Sequence, residues 1–166
     1  MHTASPLHYN ISSAQDLIGP AVAGTNNILS SALRRGNDTV RRIVFTSSCA
    51  SVVTPDEIPR VYNETDWNID SVGLVERKGI DAPMHEIYRA SKTLAERAVW
   101  DFAEKNKGVS NFDITVLNPS YVFGPVLHKV ASPSALNLSM LAWYNVVLKG
   151  TLTDEQLTTN GCVNRR

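Results

Sequence analysis

The sequence predicts an α/β fold built on a parallel sheet. Three observations carry that prediction: a stripe of apolar residues at helical spacing over residues 13–35, a short apolar run at 42–46, and the same pair repeated at 84–106 and 112–117. Helix, strand, helix, strand is the order expected when each strand is followed by a crossover helix that packs back onto the sheet. The chain has 166 residues, enough for one domain, and its 43% hydrophobic content can supply a core.

In the first segment Leu17, Ala21, Thr25, Ile28, Leu29 and Ala32 recur at three- and four-residue steps, the mark of one buried helix face. Pro20 is tolerated only near a helix start, which favours a short turn followed by a helix from about Pro20; Gly36 suits a left-handed stop. Arg42-Ile43-Val44-Phe45-Thr46 reads as a strand buried on both faces, and Met1-His2-Thr3 as the last residues of a preceding strand. Ser47-Ser48-Cys49-Ala50-Ser51 follows, a run of small residues that lets other groups approach closely.

Residues 54–83, rich in Pro, Asp, Asn and Gly, read as a long loop, and a loop of that length in a compact domain is usually functional. The helix over 84–106 buries Ile87, Ser91, Leu94, Ala95, Ala98, Val99 and Phe102, and Asn106-Lys107-Gly108 supplies its stop. Phe112 to Leu117 is a strand ended by Asn118-Pro119. A third helix is expected over 134–148, around Leu138, Leu141, Ala142 and Val146, whereas Gly150 to Arg166 is polar and aperiodic. Two or three strands fall below the ~5–6 of an average sheet, so the chain reads as the middle of something larger.

Charge and composition exclude several classes. Sixteen Lys and Arg balance sixteen Asp and Glu, which leaves no electrostatic footprint for nucleic acid or an anionic membrane. No apolar run approaches the ~20 residues of a membrane span, and the start lacks the basic-then-apolar plan of a signal peptide, so a cytoplasmic location is expected. Cys49 and Cys162 fit reduced thiols, and no metal-ligand spacing is present. Asn-x-Ser/Thr triplets begin at Asn10, Asn37, Asn63 and Asn137 and, without a secretory signal, read as chance.

The chemistry concentrates in Tyr88-Arg89-Ala90-Ser91-Lys92. A Tyr and a Lys four apart share one helix face. An ammonium beside a phenol stabilises the phenolate and draws its pKa from ~10 toward neutrality, as a proton donor to a carbonyl oxygen requires. Ser48 lies just past the carboxyl end of a buried strand, where doubly wound sheets place ligands, and its hydroxyl can donate to the same oxygen. Asn118-Pro119-Ser120-Tyr121-Val122-Phe123-Gly124-Pro125 follows the next strand and fixes a tight path at the same sheet edge.

Each feature has an ordinary alternative: a solvated helix face for the Tyr/Lys pair, a turn or cap for Ser47 and Ser48, and a structural turn for 118–125. A Ser/His hydrolase is disfavoured because no Gly-x-Ser-x-Gly elbow surrounds the serine and His2, His8, His85 and His128 are scattered. His85, one turn before Tyr88, reads as a surface histidine, and Trp67, Trp100 and Trp143 as packing residues.

With these residues placed, the chain resembles the extended short-chain dehydrogenase/reductases of the NAD-dependent epimerase/dehydratase superfamily, in the branch of NADPH-dependent methylglyoxal, aldehyde and dihydroflavonol reductases. The matching segments are His2 to Pro6, Pro20 to Thr25, Val44 to Ser48, Asn63-Glu64-Thr65-Asp66-Trp67-Asn68, Tyr88 to Glu96 and Asn118 to Pro125, in the family's order across about residues 2–148. Glu-x-x-Trp-Asn favours the reductases over the sugar-nucleotide epimerases, which share the Ser/Tyr/Lys set. Epimerases also usually carry Val-Tyr-Gly after the serine strand, where this chain has Ser51-Val52-Val53.

The resemblance implies a partial Rossmann-like doubly wound parallel sheet over 1–150, with 151–166 a divergent, disordered tail. It implies that Ser48 polarises a substrate carbonyl, Tyr88 donates the proton, and Lys92 tunes Tyr88 and holds the nicotinamide ribose. Thr3, Ala4 and Ser5 would line the cofactor path, Asn118, Pro119 and Val122 would border the nicotinamide, and Ser139 would contact the cofactor. The implied reaction is hydride transfer from NADP(H), or NAD(H), to a small aldehyde or ketone, with no nucleic-acid or membrane partner.

The sequence departs from this family at both ends. Its nine glycines never form Gly-x-Gly or Gly-x-x-Gly, so the turn that holds a pyrophosphate at a helix N-terminus is not present, nor is the first βαβ unit or the C-terminal substrate lobe. Loss of the central first strand is expected to expose an aggregation-prone edge. A truncated reductase with impaired cofactor binding is therefore expected. The alternatives are a non-catalytic, partner-binding or regulatory remnant of the fold, and an epimerase/dehydratase-type member.

Overall fold

The computed structural model describes residues 1–3, 5, 10–54, 60–120, 122, 124, 126–127 and 129–150, in two compact units, Met1–Pro119 and a second that begins at Ser120. The first unit holds α1 (Gln15–Gly36), β1 (Arg42–Thr46), a 3-10 turn (Cys49–Ser51), α2 (Ile69–Lys78), a second 3-10 turn (Gly79–Asp81), α3 (Met84–Lys105) and β2 (Asp113–Leu117). The second holds a 3-10 turn (Pro133–Ala135) and α4 (Leu138–Trp143), which continues as a wider π turn over Tyr144–Leu148. The tail 151–166 lies outside the described residues.

β1 and β2 are parallel, in a register that sets Val44 opposite Thr115 and Thr46 opposite Leu117, and α2 and α3 form the crossover between them. On the other edge of β1, His2 makes a parallel bridge to Phe45: its N–H donates to Val44 O at 2.8 Å, and Thr46 N–H donates to its carbonyl at 2.9 Å. The expected strand residues at Met1 to Thr3 are thus aligned beside β1.

Two apolar clusters hold this unit together. Leu17 and Ile18 of α1 meet Val72 and Val75 of α2 and Ile87 and Ala90 of α3; further along, Ala21 and Leu29 of α1 meet Ile43 and Phe45 of β1 and Ala95 and Val99 of α3. The long helices α1 and α3 therefore pack on each other and on the strand whose end carries Ser48.

Three expectations are corrected. The first helix begins at Gln15 and runs through Pro20. Its opening turns are held by burial of Leu17 and Ile18 and by the Asp16 carboxylate, which accepts from Ser12 and Ser13 N–H at 2.9 and 3.0 Å. β1 is not buried on both faces: Ile43 and Phe45 are buried, Val44 and Thr46 half-buried. The 54–83 segment is not one irregular loop, because α2 occupies its second half. Asn68 caps that helix by accepting from Ser71 N–H at 3.1 Å, Val72 and Val75 bury one side, and Gly79, at φ +57°, ends it.

Candidate active site

The site lies where β1 and β2 end. The ladder continues past both strands: Ser47 N–H donates to Leu117 O at 2.8 Å and Cys49 N–H to Pro119 O at 2.9 Å, which sets Ser48 beside Asn118. Ser48 has extended backbone and caps the 3-10 turn, its hydroxyl oxygen accepting from Ala50 N–H at 3.2 Å. The cap and the catalytic reading are compatible, since a hydroxyl that accepts still has a proton to donate. Ser47, by contrast, is buried, with its hydroxyl donated to Glu96 Oε2 at 2.5 Å.

α3 brings the Tyr/Lys pair. Both side chains are half-buried, and the Lys92 ammonium lies 5.8 Å from the centre of the Tyr88 ring, within cation–π reach. Among the described residues no carboxylate or other acceptor engages this ammonium. Burial lowers the Lys92 pKa below 10.5, because the charged form has lost water that no counter-ion replaces. His2 feels the same charge: its pKa falls below 6.5, chiefly through burial and then through repulsion from Lys92, which keeps the imidazole neutral near Lys92. Sequence reasoning left His2 unused; its place two residues before Ala4-Ser5 on the neighbouring strand was the available signal.

The residues expected to line a cofactor are placed as follows. Thr3 follows directly on the His2 bridge, at the same end of the sheet as Ser48, with half-buried Ser5 two residues on; Ala4 lies outside the described residues. Asn118 and Pro119 sit beside Ser48, but the Asn118 amide is turned to protein: its two N–H groups are shared among Glu96 Oε2 at 2.7 Å, Ser51 Oγ at 2.9 Å and Ser48 O at 3.2 Å. Val122 and Ser139 belong to the second unit, where Val122 is exposed and Ser139 lies in the first turn of α4 behind the Asn137 cap.

The long segment that leaves Ser48 returns to it through Asn68, which is fully buried. Asn68 N–H donates to Ser51 O at 2.8 Å and its amide to Ala50 O at 3.0 Å, while its carbonyl lies 3.4 Å from Thr93 Oγ1, whose proton goes chiefly to Arg89 O at 2.9 Å. Asn68 was recognised only as part of the Glu-x-x-Trp-Asn segment; the structure makes it the tie between α2, the Ser48 turn and α3.

The parallel crossover unit and the Tyr/Lys face on its helix α3 define the class: a Rossmann-like α/β protein of the extended short-chain dehydrogenase/reductase type. The chain belongs to the 3-beta hydroxysteroid dehydrogenase/isomerase family, whose model matches residues 1–149. Ketoreductase azaE of Aspergillus niger is 44% identical over 140 residues, 84% of this chain and 39% of that protein. The NADPH-dependent methylglyoxal reductase GRE2 of Saccharomyces cerevisiae is 36% identical over 143 residues, 84% of this chain and 40% of that protein. The crystal structure of Gre2 from Candida albicans in complex with NADPH superimposes with a TM-score of 0.69 at 32% identity, covering 88% of this chain and 42% of that one. The chain spans about 40% of the length of the curated relatives it matches.

Proposed function

We propose that this chain carries the proton-donating half of an NADPH-dependent carbonyl reductase site, acting on a small aldehyde or ketone. The observation that carries the reading is the half-buried Lys92 ammonium against Tyr88, which meets no carboxylate among the described residues and lies one helical turn before the Glu96 that binds the turn opened by Ser48. A cation that has lost water without gaining a counter-ion fits a polar ligand, and the hydroxyls of a nicotinamide ribose are such a group. The residues present fit that end of the cofactor; nothing in the sequence has the glycine pattern that cradles its pyrophosphate.

NADPH, when bound, supplies the hydride. Tyr88 gives its phenolic proton to the oxygen that becomes the alcohol, and water restores that proton afterwards. Lys92 favours the phenolate left behind, because opposite charges a few ångströms apart in a partly dry site attract strongly. Ser48 donates a hydrogen bond to the same oxygen and lowers the cost of the charge that grows there.

Turnover of methylglyoxal by the purified chain at millimolar NADPH tests this reading. Slow, NADPH-dependent reduction is expected, and Tyr88→Phe should reduce it by about 10²-fold or more with the fold intact by circular dichroism. Turnover that survives Tyr88→Phe, or none at any NADPH concentration, would overturn the assignment.

A further inference from the structure

We propose that Glu96 is the positioning residue of this site, the acceptor that fixes Ser48 in register with Tyr88 and Lys92. The inference rests on the reductase reading for its chemical meaning but stands on contacts of its own. Glu96 is one helical turn beyond Lys92 on α3, is only 5% exposed, and is used by neither the proton transfer nor the cofactor-binding residues.

Three donors converge on its Oε2 atom: Ser47 Oγ at 2.5 Å, Ser51 Oγ at 2.5 Å and Asn118 Nδ2 at 2.7 Å. Ser47 and Ser51 bracket Ser48 at the end of β1, and Asn118 ends β2. One carboxyl oxygen therefore joins both strand ends to the helix that carries the Tyr/Lys pair. The donors also tie to one another. Ser51 Oγ also lies 2.7 Å from the Ser48 carbonyl, so its single proton is shared between that oxygen and Glu96 Oε2, and Asn118 Nδ2 reaches the same carbonyl at 3.2 Å.

Among the described residues Ser48 makes no hydrogen bond to Glu96; its backbone carbonyl lies within hydrogen-bond distance of Ser51 Oγ and Asn118 Nδ2, two of the three groups at the Glu96 carboxyl. Removing the carboxyl would take from the buried Ser47 hydroxyl its carboxylate acceptor and shift Ser51 and Asn118 onto their remaining partners in the turn at residues 48–51, which would have to rearrange. Reach is what the arrangement needs. Gln keeps an oxygen at the same distance along the side chain and can still accept, whereas Asp keeps the acid but draws it back by one methylene.

Amide hydrogen exchange on the full chain reads this directly, without substrate or cofactor. Glu96→Ala and Glu96→Asp should speed exchange at Cys49, Ser51 and Val52 by about tenfold relative to amides in the middle of α1, and Glu96→Gln should stay near wild type. Exchange that rises equally in α1 would mark general destabilisation and overturn the proposal, as would wild-type exchange in Glu96→Ala. Protection kept by Asp and lost in Gln would overturn it too, by showing that charge and not reach is what matters. Should Glu96→Ala fail to fold, the Gln and Asp pair still decides the question. Methylglyoxal turnover supplies the separate readout of function: Glu96→Asp should lower kcat with KM little changed. A chain without turnover whose exchange follows the expected pattern would remove the reductase reading and leave the positioning role standing.

Discussion

At the scale of single residues, the chemistry rests on a lysine that the fold holds at a cost. Lys92 is half-buried and meets no counter-ion among the described residues, so its ammonium is more easily deprotonated than in water, and the charged form opposes folding. A base whose folded pKa lies below its unfolded value contributes stability that is full above the unfolded value, here 10.5, and lost as pH falls through the lowered one. The cost is therefore full below the lowered value and fades between it and 10.5. Lys92→Met keeps the packing stem and removes the charge, and should raise stability at pH 7 by about 0.5–2 kcal/mol while abolishing the proposed carbonyl reduction. Urea denaturation at several pH values checks the sign, since the gain should shrink as pH rises toward 10.5. A Met variant less stable than wild type at pH 7 would show that Lys92 has a stabilising partner in the folded chain.

Residue types and spacing made Ser48, Tyr88 and Lys92 legible in the sequence, because Tyr and Lys share a helix face and Ser48 follows a strand. The same rules were silent on Glu96. Its donors come from residues 47, 51 and 118, and only the pairing of β1 with β2 and the packing of α3 bring those residues to one oxygen.

At the scale of elements, Asn68 shows how one side chain can decide whether a segment is a helix or a loop. Its amide oxygen caps α2, its amide nitrogen holds Ala50 O, and its backbone meets Ser51 and Thr93. Asn68→Ala would lose a cap worth about 1 kcal/mol and take the donor from the half-buried Ala50 carbonyl, at about 1–3 kcal/mol more. A loss of about 2–4 kcal/mol in urea denaturation is expected, with protection in α2 falling first. A change under 0.5 kcal/mol, the ordinary range for an unremarkable surface position, would show that the cap is dispensable. The cap, the buried Val72 and Val75 and the Gly79 stop were all readable in the sequence. They were outweighed by the density of Pro, Asp, Asn and Gly around them, which marks turns without saying how many helical residues fit between. α1 teaches the converse, since Pro20 is accommodated where Leu17 and Ile18 bury their side chains on both sister helices.

At the scale of the whole molecule, the question is which part of a dinucleotide this chain can hold. The described sheet is β1 and β2 with the His2 bridge beside β1, and Ser48, Lys92, Thr3 and Asn118 all belong to the strand ends or to the helix packed on them. In the proposed function those groups face a nicotinamide and its ribose. The pyrophosphate of such cofactors is held in Rossmann-like folds by backbone N–H groups of a glycine-rich turn, and the nine glycines of this chain form no such pattern. The adenosine and phosphate half of NADPH should then add little: its affinity should lie within about tenfold of that of reduced nicotinamide mononucleotide, a difference of about 1.4 kcal/mol or less. Titration calorimetry of the full chain with each ligand makes the comparison, and Lys92→Met should weaken both by a similar factor. A Kd for NADPH in the micromolar range, more than about 100-fold tighter than for the mononucleotide, would mean that other residues of this chain grip the pyrophosphate. The basic side chains nearest the strand ends would then be the first to replace.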